Sequence, residues 1–321
     1  MMQRMTISLN DPCFQDESFR FSYVFDGQDL KESLLLTGLI YPPWGIGQKG
    51  QFLLVSGWKR VLTARELGWK TIPVLVAEET DREKIWQRLI LENKAHRQLS
   101  LVDKAFIIKK MVQMGISKEK VVKEGCSWLD IPPRIDWVKV YIQIAELDFE
   151  TLQLIYDKRL PEFIVRFLFG YTTEERLLLL PWLRRLSQSK IKEVLESLKE
   201  MALRDHLQPE QIVADFKKSC PPEEMAGHIS QVAEKFRIYL QEKRFPHYCQ
   251  TMSQFKSILT EIGWPQEIKI TPFPYFEKDE FQVSFSFSKE SEFRDKVIKL
   301  FALAKTRAVK KLFFLKNKNN D

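Results

Sequence analysis

Apolar residues change their spacing along this chain, and each change predicts a different kind of element. In residues 1–98, short apolar runs alternate with stretches of 3–4 spacing. Ile7 to Leu9 and Phe19 to Phe25 read as strands, and 28–37 reads as a helix ending at Gly38. Phe52 to Val55 and Ile72 to Val76 read as buried strands, each followed by a helix. Residues 99–210 keep helical spacing throughout. Ser100 is placed to cap a helix from Leu101 to Met114, with Asp103 or Lys104 near its third position, and Gly115 stops it. Ser117 caps a shorter helix ending at Gly125, and a third begins after Pro132-Pro133 and runs from Arg134 to about Leu147. Helices over 149–158, 161–169, 173–186 and 188–204 follow. Cys220-Pro221-Pro222 breaks the pattern. Beyond it come helices over 223–241 and 248–262, a short strand at 268–270, strict alternation from Phe281 to Phe287, a Lys-rich helix over 290–307 and a strand from Leu312 to Leu315. The pattern predicts an α+β multidomain chain: an α/β part (1–98), an all-helical part (99–210) and a small α+β module (211–321).

The junction at Val55-Ser56-Gly57-Trp58-Lys59-Arg60 carries chemistry. A glycine between strand and helix lets backbone amides face a ligand with no Cβ in the way. The helix N-terminus adds its dipole, and Lys59 and Arg60 add full positive charge, which suits a phosphate. Some thirty residues later, Glu92-Asn93 offers oxygen ligands of the kind Mg²⁺ takes beside phosphates, with His96-Arg97 just beyond. A solvated first helical turn is the plainer account of Lys59-Arg60. In the helical part, helix, short turn, helix is the start of a helix-turn-helix, with Lys118, Lys120, Lys123, Arg134 and Lys139 around it. Such residues make the phosphate contacts that position a protein on a duplex, though Glu119, Glu124, Asp130 and Asp136 dilute the field. Trp128 and Trp137 are expected in the core.

Composition narrows the class. With 321 residues and 44% hydrophobic positions, the chain is long enough for two or three domains. The net charge of +7 favours a polyanionic partner, and most of the excess falls in residues 211–321. There Arg294, Lys296, Lys299, Lys305, Arg307, Lys310 and Lys311 form either a non-specific DNA patch or a solvated helix face, and 316–321 read as a tail. The four cysteines are far apart with no CxxC pair, which argues against zinc and redox motifs. No signal peptide or membrane-length apolar run is present, so a cytoplasmic location with reduced thiols and no membrane partner is expected.

From about Phe19 to Leu207 the ordered motifs resemble the ParB family of chromosome and plasmid partition proteins. Leu30-Lys31-Glu32-Ser33 with Gly38-Leu39-Ile40-Tyr41-Pro42-Pro43 resembles the family's opening. Ser56-Gly57-Trp58-Lys59-Arg60, Ala64 and Leu67-Gly68 resemble its first nucleotide motif. Glu92-Asn93 followed by Leu99-Ser100-Leu101-Val102-Asp103-Lys104-Ala105 resembles its second. The resemblance implies a ParB/sulfiredoxin-like N-terminal domain, then a helix-turn-helix domain, then a C-terminal module able to join protomers. It implies a CTP pocket with Mg²⁺ near the acid-amide pair: Gly57, Lys59, Arg60, Asn93, His96 and Arg97 toward the nucleotide, Glu92 toward the metal. The implied role is DNA partition or regulation by a nucleotide-responsive, nucleoid-associated homodimer, with a ParA-type ATPase as a further partner. Three departures stand out. Trp58 occupies the place of the family's acid, Lys59 replaces its first arginine, and His96 falls where the second motif's arginine sits. No classical metabolic enzyme is expected, and any CTPase activity would be weak. Two alternatives stay open: a nucleotide-dependent phosphotransferase or nuclease using Glu92, and a DNA-binding adaptor that has lost its nucleotide.

Overall fold

The computed structural model describes residues 2–23, 27–48, 51–220, 229–278, 280–306 and 308–314. The protein is mixed α and β with helix predominating. It divides into two compact units, Met1–Leu195 with His228–Ala233 and Glu196–Gly227 with Glu234–Asp321.

The first unit opens with a four-stranded sheet in the order β1-β4-β2-β3, formed by β1 (Met2–Ser8), β2 (Trp44–Gln48), β3 (Gln51–Ser56) and β4 (Thr71–Ala77). β1 runs antiparallel to β4, with Met2 opposite Ala77 and Ser8 opposite Thr71. β4 and β2 are parallel, and β2 returns antiparallel to β3. The β2–β3 register shifts between Trp44 and Gly45. Only glycine fits there, because a Cβ on Gly45 would lie 2.1 Å from the Leu53 carbonyl oxygen. Helices α1 (Gln28–Thr37), α2 (Trp58–Glu66) and α3 (Arg82–His96) complete the layer. Its core joins Leu54, Val61, Ala64, Ile72 and Val74, all fully buried, to Ile7, Leu9, Phe14 and Trp58.

The helical continuation starts at α4 (Leu101–Gln113), where the expected Ser100 cap forms a reciprocal capping box with Asp103. Short helices α5 (Lys118–Lys120) and α6 (Cys126–Trp128) flank a π-helical turn at Val121–Gly125, so the helix capped by Ser117 continues past Gly125. α7 (Ile135–Ile144) packs on α4, and α8 (Phe149–Asp157), α9 (Glu162–Leu168) and α10 (Thr173–Leu183) follow. α10 runs through Pro181 for two further residues. Arg176 ties three of these helices: it donates to Asp148, the α8 cap, at 2.9 Å, and to the carbonyl of Tyr171 beyond α9. The unit boundary falls inside α11 (Gln188–Asp205).

In the second unit α12 (Pro209–Ser219) buries Ile212, Val213 and Phe216, and Phe216 meets Phe236 at 5.1 Å. Helix Ile229–Arg244, which the unit boundary crosses after Ala233, and helix Pro246–Glu261 lead to a two-stranded antiparallel sheet, Lys269–Pro272 with Phe281–Ser284, and helix Glu290–Lys305. Phe255, Phe276 and Leu312 form its small core.

Several expectations change. Residues 19–23 form no strand, and 24–26 lie outside the described residues. Phe19 and Phe21 are nevertheless buried, Phe19 against Trp86 at 5.1 Å. The alternation there reports burial without strand pairing. Residues 312–314 belong to a 3-10 turn, Ala308–Phe314, rather than a strand, with Leu312 held by Phe255 and Phe276 and no strand pairing with it among the described residues; residue 315 lies outside the described residues. The strand at Phe281 stops at Ser284, after which Phe285 and Phe287 turn to Phe293. Trp128 and Trp137 are half-buried, with Trp137 beside Tyr141 at 6.3 Å and under the Arg166 guanidinium. The helix at 209–219 was not anticipated. Residues 223–228, Arg307 and the 316–321 tail lie outside the described residues.

Candidate anion-binding site

β3 delivers the chain to Gly57 with φ +100° and ψ 18°, and α2 begins at the next residue. This backbone is one that glycine adopts freely. Space is short as well: a Cβ on Gly57 would come within 2.7 Å of Pro43 Cβ and 2.9 Å of Pro43 Cα. Gly57 therefore lets the loop before β2 lie directly against the start of α2, and its carbonyl accepts the Val61 amide at 3.1 Å. No side chain caps this helix, so the amides of its first turn have no side-chain acceptor at the N-cap.

In front of that turn lies a cavity of about 230 Å³, lined by Phe21, Ser22, Leu30, Val55, Ser56, Gly57, Trp58, Lys59, Arg60, Leu89, Asn93 and Arg97. Leu89, Asn93 and Arg97 form an i, i+4, i+8 stripe down one face of α3. Five residues anticipated as nucleotide ligands, Gly57, Lys59, Arg60, Asn93 and Arg97, thus share one cavity.

Its electrostatics favour an anion. Burial pulls the pKa of Lys59 below its ordinary value, Arg97 pushes the same way, and Asp103 opposes. Burial likewise lowers Arg60, against the pull of Glu92. At both cations burial outweighs the carboxylate that opposes it, and a phosphate would add to the opposing side. The Arg60 guanidinium donates to the Tyr41 carbonyl, closing the other side of the loop. Asn93 Nδ2 donates back to the Leu89 carbonyl at 2.8 Å, leaving its amide oxygen as the acceptor end.

Two anticipated residues sit elsewhere. His96 is exposed and does not line the cavity, because it falls off the 89/93/97 stripe. The Glu92 carboxylate also lies outside the lining: one oxygen accepts from Trp44 Nε1 and the other from Ser56 Oγ at 3.3 Å. Among the described residues, no group of three or more His, Cys, Asp or Glu could hold a metal ion. Glu92 alone does not make a Mg²⁺ site; the ion would also need phosphate oxygens and waters, and Glu92 would meet it with the lone pairs not given to Trp44 and Ser56.

Sequence reading missed Ser22 and the second role of Asp103. Asp103 is 2% exposed and holds Arg97 by an ion pair of 2.6 Å, while Ser22 Oγ accepts from Arg97 at 2.8 Å. The Ser100 cap pointed to Asp103 or Lys104; Ser22, 75 residues before Arg97, left no local signal.

Around the helical segment, Lys118, Lys123 and Lys139 are exposed. Lys120 pairs with Glu83 at 2.5 Å, and Arg134 forms a two-pronged contact to Asp136 at 3.1 and 2.9 Å.

No family model matches the chain. A nucleoid occlusion protein of Halalkalibacterium halodurans is 26% identical over 104 residues, 31% of this chain and 36% of that protein. A chromosome-partitioning protein Spo0J of Thermus thermophilus is 29% identical over 96 residues, 30% of this chain and 35% of that protein. Over the matched stretch, about a third of this chain, the similarity is to chromosome-partitioning and nucleoid occlusion proteins. The match spans only about a third of the length of these ParB-family relatives. Among solved structures, the C-terminally truncated chromosome-partitioning protein ParB of Caulobacter crescentus, complexed with CTP-gamma-S, is 18% identical. It covers 56% of this chain and 98% of its own, with a TM-score of 0.24. So loose a superposition locates no ligand in this chain. No helix among the described residues is long and apolar enough to cross a membrane.

Proposed function

We propose that this protein is a nucleotide-responsive, ParB-like DNA-binding protein acting in DNA partition or regulation. The observation that carries the reading is the cavity at the β3–α2 turn, where Lys59, Arg60 and Arg97 meet the N-terminal turn of α2. Backbone amides, a helix dipole and several cations are the recurring chemistry of phosphate recognition. The resemblance of the two motifs to the family's CTP pocket selects CTP as the nucleotide.

In this reading the first-turn amides after Gly57, together with Lys59 and Arg97, hold the phosphate chain, Arg60 keeps the Tyr41 loop against it, and Asn93 offers an amide oxygen. If Mg²⁺ accompanies the nucleotide, it shields phosphate charge and Glu92 is its nearest carboxylate. Lys118, Lys123 and Lys139 contact DNA phosphates, with Lys120 and Arg134 joining once released from Glu83 and Asp136. The three-part layout, with dimerisation through the C-terminal module, a ParA-type partner and a nucleoid location, belongs to the same proposal. The nucleotide shifts the protein between DNA-bound arrangements only to the extent that it binds them with different affinity.

One observation favours the adaptor alternative. The cavity of about 230 Å³ is smaller than the roughly 300–1,000 Å³ of typical ligand sites. Equilibrium binding of CTP, ATP, GTP and inorganic tripolyphosphate to the purified chain separates the two. CTP-selective binding lost in Arg97→Ala supports the nucleotide reading; DNA binding with no nucleotide binding supports the adaptor.

A further inference from the structure

Arg97 is the last residue of the cavity stripe on α3, and its backbone is already extended, with φ −158° and ψ 158°. A long side chain leaving a helix end has many rotamers, and fixing one costs entropy. Here the head is fixed on two sides. Nη1 meets Asp103 Oδ2 at 2.6 Å, and Nη2 donates to Ser22 Oγ at 2.8 Å. Ser22 Oγ then donates to Asp103 Oδ1 at 2.9 Å, closing a three-residue ring around the guanidinium. The Phe21 ring lies 5.7 Å from the same guanidinium.

Asp103 has a second duty. Its Oδ2 accepts the Ser100 amide at 3.0 Å and the Ser100 hydroxyl at 2.9 Å, while Ser100 Oγ accepts the Asp103 amide at 3.1 Å. Capping needs only an acceptor, and asparagine would supply one. Holding a guanidinium through both carboxylate oxygens and a bridging serine goes beyond capping. Lys59 senses the same two groups, lowered by Arg97 and raised by Asp103.

We propose that Asp103 is the positioning residue of the anion cavity: it aims Arg97 into the cavity while capping α4, so one buried carboxylate sets both anion affinity and the start of the helical region. This rests on the reading of the cavity as a phosphate site. Asp103 touches no anion itself. Its charge in fact opposes an anion nearby, and that opposition makes the role testable by sign.

The test is calorimetric titration of the full chain with inorganic tripolyphosphate, for wild type, Asp103→Asn, Arg97→Ala and the double variant. Ser22→Ala, which spares the cap, is added in case Asp103→Asn folds poorly. Positioning predicts that Asp103→Asn weakens binding by about tenfold when Arg97 is present. In the Arg97→Ala background the same change leaves binding equal or tighter, because only a repelling charge is then removed. Ser22→Ala weakens binding in the same direction by a smaller factor. Asp103→Asn binding as tightly as wild type, or weakening binding equally in both backgrounds, overturns the proposal while the phosphate site stands. Wild type that binds no tripolyphosphate overturns the phosphate site, and this proposal with it.

Discussion

Replacing Gly57 by alanine tests the turn on which the cavity is built. Two costs add. A non-glycine residue at φ +100° is strained by about 1–2 kcal/mol. The new Cβ would also stand 2.7 Å from Pro43 Cβ and 2.9 Å from Pro43 Cα. A ring and a backbone atom cannot swing aside as a flexible side chain does, so overpacking adds about 1–3 kcal/mol. The sum is about 2–5 kcal/mol, a large part of the roughly 5–15 kcal/mol that holds a typical domain. Gly68→Ala is the matched control: φ is +75°, but nothing lies within 4 Å of the added Cβ, so only the strain of about 1 kcal/mol remains. Urea unfolding followed by tryptophan fluorescence suits the comparison, because seven of the eight tryptophans precede residue 196 and report the first unit. The midpoint for Gly57→Ala should fall by about 1–2 M, and that for Gly68→Ala by about 0.5 M. Equal shifts for the two variants would refute the claim that close approach to Pro43 fixes this glycine.

Other outcomes follow from the same geometry. Lys59 holds its proton less tightly than the usual 10.5 because it is buried, with Arg97 nearby; a bound anion restores the proton. Tripolyphosphate binding should therefore take up protons, and weaken, as pH rises from the lowered value toward 10.5. Calorimetry in buffers of different ionisation enthalpy reads this, and heat that does not vary with the buffer would count against it. Without ligand the sign reverses: the unfolded chain binds that proton more tightly, so the Lys59 contribution to stability rises with pH across the same window. Glu92→Gln keeps an acceptor for Trp44 and can donate its amide to the Ser56 hydroxyl, so tripolyphosphate binding in EDTA should be equal or tighter; a tenfold loss would place Glu92 in the site itself. Replacing Lys118, Lys123 and Lys139 together by alanine should lower the slope of log K for DNA against log salt by about 3, near 0.9 per contact. An unchanged slope would move the DNA surface elsewhere.

What the sequence revealed about this chain was local, and what it hid was long-range. Phe52 to Val55, Ile72 to Val76 and the Ser100 cap were readable because each signal lies within a few residues of its consequence. The strand expected at Phe19 did not form, since alternation marks which side chains are buried and leaves open whether a neighbouring strand is there to pair. At the cavity, Gly57, Lys59 and Arg60 are contiguous and were found together. Asn93 and Arg97 share one face of α3 by helical geometry, and the same geometry sends His96 to solvent. Glu92 looked like a free ligand because nothing in sequence connects it to Trp44, 48 residues earlier. The ring of Ser22, Arg97 and Asp103 exists only once the chain has folded.

The proposed phosphate site joins Lys59 and Arg97 at the first turn of α2, with Arg60 holding the Tyr41 loop against it. Its most direct measurement is the affinity of CTP and tripolyphosphate for the full chain, wild type beside Lys59→Ala and Arg97→Ala, with folding checked by circular dichroism. The account predicts that wild type binds both ligands and that each variant, folded, loses tenfold or more, since a charge-assisted hydrogen bond contributes about 1.5–3 kcal/mol. Wild-type binding that survives in both folded variants, or no binding at all, would contradict it.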